Sequence, residues 1–132
     1  MKTLISLCCD DIIRDAETNS ISIHSIIEEI TGEGFPLVLP RFCIFYLFEK
    51  ENGDVNSKAH TLIISLDEKE VHRLPITVDF QDKGRSRNII KIGGFAFLNP
   101  GSLKIELKFE DQLLSFIELP VNLRGTVKIQ PK

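Results

Sequence analysis

The opening stretch "MKTLISLCCDDIIRD" holds the residue types that most resemble a reactive site. It places two adjacent thiols, Cys8 and Cys9, directly before two carboxylates, Asp10 and Asp11. A structural zinc site needs four converging ligands, whereas adjacent residues of a strand point to opposite faces. A thiol nucleophile needs a depressed pKa, and two neighbouring carboxylates would raise it. We therefore interpret this stretch as a buried strand that ends at solvent.

The other candidates for acid–base or metal chemistry are scattered along the chain. The three histidines, His24, His60 and His72, lie in or next to apolar stripes, where a neutral core histidine is the usual outcome. Calcium needs several converging oxygens, but no Asp-x-Asp-x-Asp run occurs. The available aspartates are Asp10, Asp11, Asp15, Asp54, Asp79 and Asp82. We expect no catalytic residue, no metal site and no cofactor.

The most distinctive surface feature is the basic stretch "DKGRSRNIIK" at positions 82–91. It carries four cations and one acid, so its net charge is +3 on a chain whose net charge is −3. Such a dipolar distribution can steer an acidic partner or a phosphorylated ligand toward the surface. The candidate binding residues are Lys83, Arg85, Arg87 and Lys91. The alternative interpretation is an ordinary solvated loop.

Composition narrows the class of protein. The 132 residues are 42% apolar and 27% charged, which is normal for one globular domain. The negative net charge argues against a general attraction to nucleic acid or to an anionic membrane. No apolar run approaches the length of a membrane span, and the apolar opening is too short for an export signal. Three cysteines, an odd number, suit a reduced cytoplasmic protein.

The apolar pattern has a period of two almost throughout, which predicts β-strands. We expect an all-β domain at positions 1–124, followed by a polar tail at 125–132. Seven to nine strands, some apolar on both faces, favour a two-sheet antiparallel β-sandwich of immunoglobulin-like type over a closed barrel. No convincing helix is predicted.

Local signals predict how some strands connect. Asn52-Gly53 is a strong hairpin signal, and Gly93-Gly94 indicates a β-bulge, because the alternation changes phase there. The stripes that begin at His60 and His72 would share one face of a hairpin if a five-residue loop, Asp67–Val71, joined the two strands.

A set of motifs runs along the chain: Cys9-Asp10, "TNSISIHSI", Phe35-Pro36, "LVLPRFCIFYLFEK", His60 and a Pro-Gly turn into "SLKIELKF". With these motifs the chain resembles, along nearly its whole length, a family of small, mostly bacterial proteins known as a domain of unknown function. Members commonly carry an Asp-Gly turn where this chain has "DEKE". The resemblance implies a cytoplasmic immunoglobulin-like sandwich without catalytic residues.

Two functions fit these observations. The first is a non-catalytic intracellular interaction module that holds a protein partner through a sheet edge or the basic stretch. A second copy of the chain, paired through a sheet edge, is one form of that partner. The alternative is a sandwich that binds a phosphate-bearing small molecule or a short nucleic acid at Arg85 and Arg87. A concave pocket beside the basic stretch would favour the alternative, and a flat apolar edge the first.

Overall fold

The computed structural model describes residues 1–124, which form nine β-strands. The strands are β1 (Lys2–Arg14), β2 (Ile21–Ile27), β3 (Ile30–Gly32), β4 (Leu37–Glu49), β5 (Ser57–Leu66), β6 (Lys69–Asp79), β7 (Arg85–Phe97), β8 (Gly101–Phe109) and β9 (Gln112–Leu123). Residues 1–124 contain no helix, and therefore none that could span a membrane. The all-β class and the expected strand number are confirmed. The predicted polar tail, positions 125–132, lies outside the described residues.

The strands form two sheets. The first sheet has the order β2-β1-β4-β7, and the second has the order β3-β9-β8-β5-β6. Every pair is antiparallel except β3 with β9, which is parallel, so the second sheet is mixed and the expectation of purely antiparallel sheets needs this correction. The reason is that the apolar run at positions 21–30, "ISIHSIIEEI", is divided between two strands. The chain leaves the first sheet after Ile27, and Ile30–Gly32 runs beside the end of β9.

The core lies between the sheets and follows the predicted alternation. On β8, Leu103, Ile105 and Leu107 are fully buried, while Lys104 and Glu106 between them are partly exposed. The facing strand β4 is buried on both sides along its middle, because the residues of both parities from Phe42 to Tyr46 are buried. This explains why β4 is the most apolar strand of the sequence.

The β5–β6 hairpin keeps its two stripes on one face, but not by the predicted loop. Leu66 pairs with Lys69, so the turn has only the two residues Asp67 and Glu68. With this turn alone, even-numbered residues of β5 would pair with odd-numbered residues of β6, and the two stripes would lie on opposite faces. A register shift next to Ser65 leaves Val71 as an extra residue on β6 and brings His72 opposite Ile64. The bulge thus provides the change of parity that a five-residue loop would have provided.

The two predicted glycine signals also have different outcomes from those expected. β4 and β7 keep one register from Leu37–Phe97 to Glu49–Arg85, so no bulge occurs at Gly93-Gly94. Instead, the inward-facing and outward-facing sides of both strands exchange between the pairs Leu39–Phe95 and Arg41–Gly93. Gly94, which lies between these pairs, has a φ of 68°. Gly53 does allow a turn with a φ of 90°, but this turn connects β4 in the first sheet to β5 in the second and is not a hairpin.

The burial pattern of β8 makes a direct prediction about stability. Leu107→Ala and Ile64→Ala should each lower the free energy of unfolding by about 2–5 kcal/mol, because each removes a buried aliphatic side chain and leaves a cavity. Lys104→Ala and Lys108→Ala should change it by about 0.5 kcal/mol or less, as surface substitutions do. Denaturant unfolding measures all four. A loss for Lys104 equal to that for Leu107 would show that the faces of β8 are assigned wrongly.

The β5–β6 turn makes a second prediction. Asp67 and Glu68 have φ values of 49° and 68°, a left-handed conformation that is unfavourable for residues with a Cβ atom. Glu68→Gly should raise the free energy of unfolding by about 0.5–1 kcal/mol, after glycine's larger entropy loss is deducted. The loss of the contact between Glu68 and Lys104 matters little, because exposed ion pairs are weak.

The matched control for this turn is Asp67→Gly. Its carboxylate accepts a hydrogen bond of 2.9 Å from the Ser102 amide, so its removal offsets the relief of strain. Thermal melting should therefore rank Glu68→Gly above Asp67→Gly in stability. The reverse order would contradict the assignment of strain to Glu68.

Candidate functional site

The predicted basic residues lie at the start of β7, on the outer face of the first sheet. Because alternate residues of a strand share a face, Arg85, Arg87, Ile89 and Lys91 form one row. Lys83 precedes them in the loop from β6. Around Lys83, Arg85 and Arg87 the surface forms a groove of 610 Å³, which we call the basic groove. Its lining residues are Arg14, Asn19, Leu47, Asp79, Phe80, Gln81, Lys83, Arg85, Ser86, Arg87 and Ile89.

One wall of the basic groove comes from the turn between β1 and β2, far away in the sequence. The Nη1 atom of Arg87 donates a hydrogen bond of 2.9 Å to the carbonyl oxygen of Asn19. Leu47 of β4 pairs with Arg87 on one side and with Ile5 on the other, so Arg87 and Ile5 lie at the same height along the strand direction. In a flat sheet the turn would lie about 30 Å further along the strand direction. The end of the β1–β2 hairpin must therefore fold back over the outer face of the first sheet.

An apolar cluster on the outer face explains why the hairpin folds back. Cys9, Ile12, Cys43 and Phe45 are all less than 4% exposed, although they lie outside the main core. Cys9 and Ile12 are three positions apart, so in a regular strand they would face opposite sides. Because both lie in this cluster, the two faces of β1 must exchange between them. The partner strand turns over at the same level, where Ser25 has a φ of 56°. Burial of these side chains, which we call the outer cluster, stabilises the folded-back hairpin.

Lys91 fastens this hairpin and does not line the basic groove. Its Nζ atom donates to the Ile12 carbonyl oxygen at 3.0 Å and lies 3.3 Å from Asp11 Oδ1. A hydrogen bond from the Ile12 amide, together with Lys91, lowers the pKa of Asp11. The guanidinium of Arg41 is 3.0 Å from Asp10 and 3.8 Å from Asp11. The two carboxylates next to the cysteines are thus paired with cations.

The charges that line the basic groove are mostly unopposed. Among residues 1–124, Lys83 and Arg87 form no ion pair with a carboxylate, and the pair of Arg85 with Glu49 is long, at 3.5 Å, and exposed. The one acid in the lining, Asp79, accepts a hydrogen bond of 2.9 Å from the Gln81 amide. The groove therefore presents four cations to solvent, beside the half-buried apolar side chains of Leu47 and Ile89.

A tight turn holds Lys83 at the rim of the groove. The Lys83 amide donates to the Phe80 carbonyl at 2.9 Å, and the two residues between them, Gln81 and Asp82, have φ values of 51° and 60°. This is the geometry of a type I′ turn, in which residues other than Gly, Asn and Asp are unusual. The Asp82 carboxylate accepts a hydrogen bond from the Asn56 side chain, which ties the turn to the loop before β5.

The thiols lack the features of reactive groups. Cys8 faces the main core, and Cys9 faces the outer cluster, where Cys43 pairs with it across the strands. Burial raises the pKa of Cys8 to about 12 and that of Cys9 to about 11. The expectation that β1 ends at the aspartates is wrong, because β1 continues to Arg14. The reason is that the strand turns over there and continues as the folded-back hairpin.

The histidines do not form a site either. His60 is 4% exposed, burial lowers its pKa, and its Nδ1 atom lies 3.0 Å from the Lys58 carbonyl oxygen. His24 and His72 are exposed, so the core interpretation holds for His60 alone. Both exposed histidines lie on edge strands, β2 and β6, which have a neighbour on one side only. Within residues 1–124, no group of three or more His, Cys, Asp or Glu residues is arranged to hold a metal ion.

Sequence reasoning found three of the cations of the basic groove and missed Arg14 and Asn19. The stretch "DAETNS" forms the turn between β1 and β2, where Asp15 accepts hydrogen bonds from the Glu17 and Thr18 amides. Its position over β7 depends on the outer cluster, a contact between distant residues. The one local signal was the run of alternating isoleucines after the turn, Ile21 and Ile23, which pack against that cluster.

The buried thiols make a prediction about reactivity. Without denaturant, at most one of Cys8, Cys9 and Cys43 should react quickly with a thiol reagent at mildly alkaline pH, because their raised pKa values keep the thiolate fraction small. Denaturant should make all three react. Rapid labelling of both Cys8 and Cys9 in the folded protein, or a stoichiometric zinc content, would contradict the buried interpretation.

Comparison with known proteins supports one part of the resemblance, the membership of a family of unknown function. A search of curated proteins finds none that matches the chain. A family model described as a family of unknown function, DUF6941, matches residues 4–122. This span includes every residue that lines the basic groove and both sides of the outer cluster. The chain therefore belongs to the family of unknown function DUF6941.

Proposed function

We propose that this protein is a non-catalytic binding module that holds an acidic segment of a protein partner in the basic groove. The observation that carries the proposal is the groove itself, where four cations, Arg14, Lys83, Arg85 and Arg87, are accompanied by one acid. The chain as a whole has a net charge of −3, so this concentration of positive charge is a local feature. Complementary charge raises the rate of encounter and fixes the orientation of a partner.

The chemistry of the groove suits carboxylates that are followed by apolar groups. A guanidinium presents a planar fork of donors that binds a carboxylate in a paired geometry. Leu47 and Ile89, which are half-buried, add apolar surface between the cations, and burial of such surface supplies affinity that salt does not screen. A peptide segment with acidic and apolar side chains satisfies both features at once.

A specific observation also favours the second candidate, a phosphate-bearing small molecule or a short nucleic acid. The surface beside the basic stretch is concave, which is the feature expected of a ligand-binding sandwich. Against this candidate, the groove lining also includes the half-buried apolar side chains of Leu47 and Ile89, which a phosphate group does not use. A segment with acidic and apolar side chains contacts both kinds of lining residue.

The proposal includes the setting implied by the family resemblance: an immunoglobulin-like domain of the bacterial cytoplasm. The three free thiols support a reducing compartment, where cysteines remain unpaired. The raised pKa values of these thiols and the burial of His60 support a role without catalysis.

The direct test replaces Arg85 and Arg87 together by Ser. Association with a short fluorescein-labelled peptide rich in Glu and Val should slow by roughly tenfold at low salt, because two of the four cations are lost. The salt dependence of association should also be weaker than in the parent. Stopped-flow fluorescence measures the rates, and a melting curve checks that the fold is intact, which is expected because both side chains are exposed.

The matched control is Lys69→Ser combined with Lys108→Ser, which changes the net charge equally but lies on the second sheet. It should leave the rates close to those of the parent. Unchanged kinetics in the Arg85 and Arg87 variant at both salt concentrations would refute the groove as the binding site. Tighter binding of inorganic pyrophosphate or a short single-stranded oligonucleotide than of the peptide would favour the second candidate instead.

A further inference from the structure

The basic groove continues into an open sheet edge. β7 is the last strand of the first sheet and is paired on one side only, with β4. An edge strand presents unpaired amide and carbonyl groups that can bind another chain by adding a strand. We propose that the acidic segment binds as an additional β-strand along β7, with its acidic side chains on the arginines of the groove. This inference rests on the proposed function and specifies its binding mode.

The pairing of β4 with β7 determines which amides of β7 are free. The Lys50 amide donates to the Gly84 carbonyl at 2.8 Å, so these opposite residues form a hydrogen-bonded pair. In an antiparallel ladder such pairs alternate with pairs that point their amides away. Even positions of β7 therefore bind β4, while the amides of the odd positions Arg87, Ile89, Lys91 and Gly93 point to the open edge. The register is continuous over this stretch.

The neighbouring edge, on β6, is less suited to a new strand. Pro75 has no amide hydrogen and interrupts the donors of β6. Further along β6, the carbonyl oxygens of Thr77 and Asp79 already accept hydrogen bonds from the side chains of Asn88 and Ser86, at 3.1 and 3.0 Å. From Arg85 to Gly93, β7 carries no proline, and its side chains Ser86 and Asn88 close the edge of β6.

The side-chain row of β7 specifies the pattern of the partner. Residues directly opposite in neighbouring strands share a face and contact each other. A strand added to β7 would therefore place alternate side chains opposite Arg85, Arg87 and Ile89. Charge and apolar complementarity then require the pattern acidic-x-acidic-x-apolar in a parallel partner strand, and the reverse order in an antiparallel one. Lys91 adds little, because Asp11 already neutralises it.

The same row disfavours a second copy of this chain as the partner. In a two-fold antiparallel pair of β7 strands centred on Arg87, the two copies of Arg87 would lie directly opposite each other. Like charges in directly opposite positions are destabilising. The stretch at positions 125–132 has two lysines and no acidic residue, so it also lacks the complementary charge. An acidic segment of another protein is the occupant that fits.

The experiment uses the whole protein and a short synthetic peptide with the pattern acidic-x-acidic-x-apolar, made also with the reverse sequence. Amide hydrogen exchange, followed by NMR, reports on each backbone group. The amides of Arg87, Ile89 and Lys91 should exchange quickly in the free protein and be protected by the peptide by on the order of tenfold or more. Those of Ser86, Asn88 and Ile90, which bind β4, should be slow in both states and serve as internal controls.

Two modified peptides complete the test. A peptide with the same composition but contiguous acids should bind more weakly, because only alternate side chains face the arginines. N-methylation of alternate amides should abolish binding when the methylated set faces β7 and should preserve it when the other set is methylated. Binding that depends on Arg85 and Arg87 but protects none of the three edge amides would overturn strand addition and leave the proposed function intact. No binding of any acidic peptide would overturn both.

Discussion

The constraint on which this structure depends is the period of two along each strand. A strand that contributes to the core must keep its apolar residues on one face, and a change of one position exposes all of them. The chain satisfies this constraint with devices at particular residues. The extra residue Val71 corrects the register of β6, and left-handed residues at Ser25 and Gly94 allow paired strands to turn over together without losing their register.

The basic groove is a product of one of these devices. Where β1 and β2 turn over, the apolar residues that follow face the outer side of the first sheet, and the hairpin folds back to bury them against Phe45 and Cys43. Arg14 and Asn19 lie next to Arg87 only because the hairpin folds back. The cations of β7 alone would form an exposed row. With the hairpin present, they become one wall of a concave site.

Much of the fold could be predicted from the sequence, because period-two patterns record which face of each strand is buried. The alternation in "SLKIELKF" predicts the inward side of β8 correctly. The connections could not be predicted to the same degree. A loop with an odd number of residues and a two-residue turn followed by a bulge both place the stripes of β5 and β6 on one face, so the sequence was compatible with either connection. Asn52-Gly53 marks a turn without stating which sheet receives the next strand.

The site was predictable to the extent that it is local. Lys83, Arg85 and Arg87 are close in sequence and therefore close in space, and they do line one groove. Lys91 belongs to the same charged stretch but is drawn to Asp11, some 80 positions away along the chain. Charge composition alone cannot separate a cation that faces solvent from one that is already paired, because that distinction depends on the tertiary fold.

The burial of β4 on both faces has a consequence for the dynamics of the molecule. Its inner side chains belong to the main core and its outer ones, Cys43 and Phe45, to the outer cluster, so β4 can become exposed on both sides only when the whole domain unfolds. The end of the folded-back hairpin packs on the outer cluster and is held otherwise by exposed polar contacts from Lys91 and Arg87, so it can separate in a partial opening of lower free energy. Such an opening would uncover the thiols of Cys9 and Cys43 and remove one wall of the groove in a single event. Local stability on one side of a single strand thus controls both thiol accessibility and the shape of the binding surface.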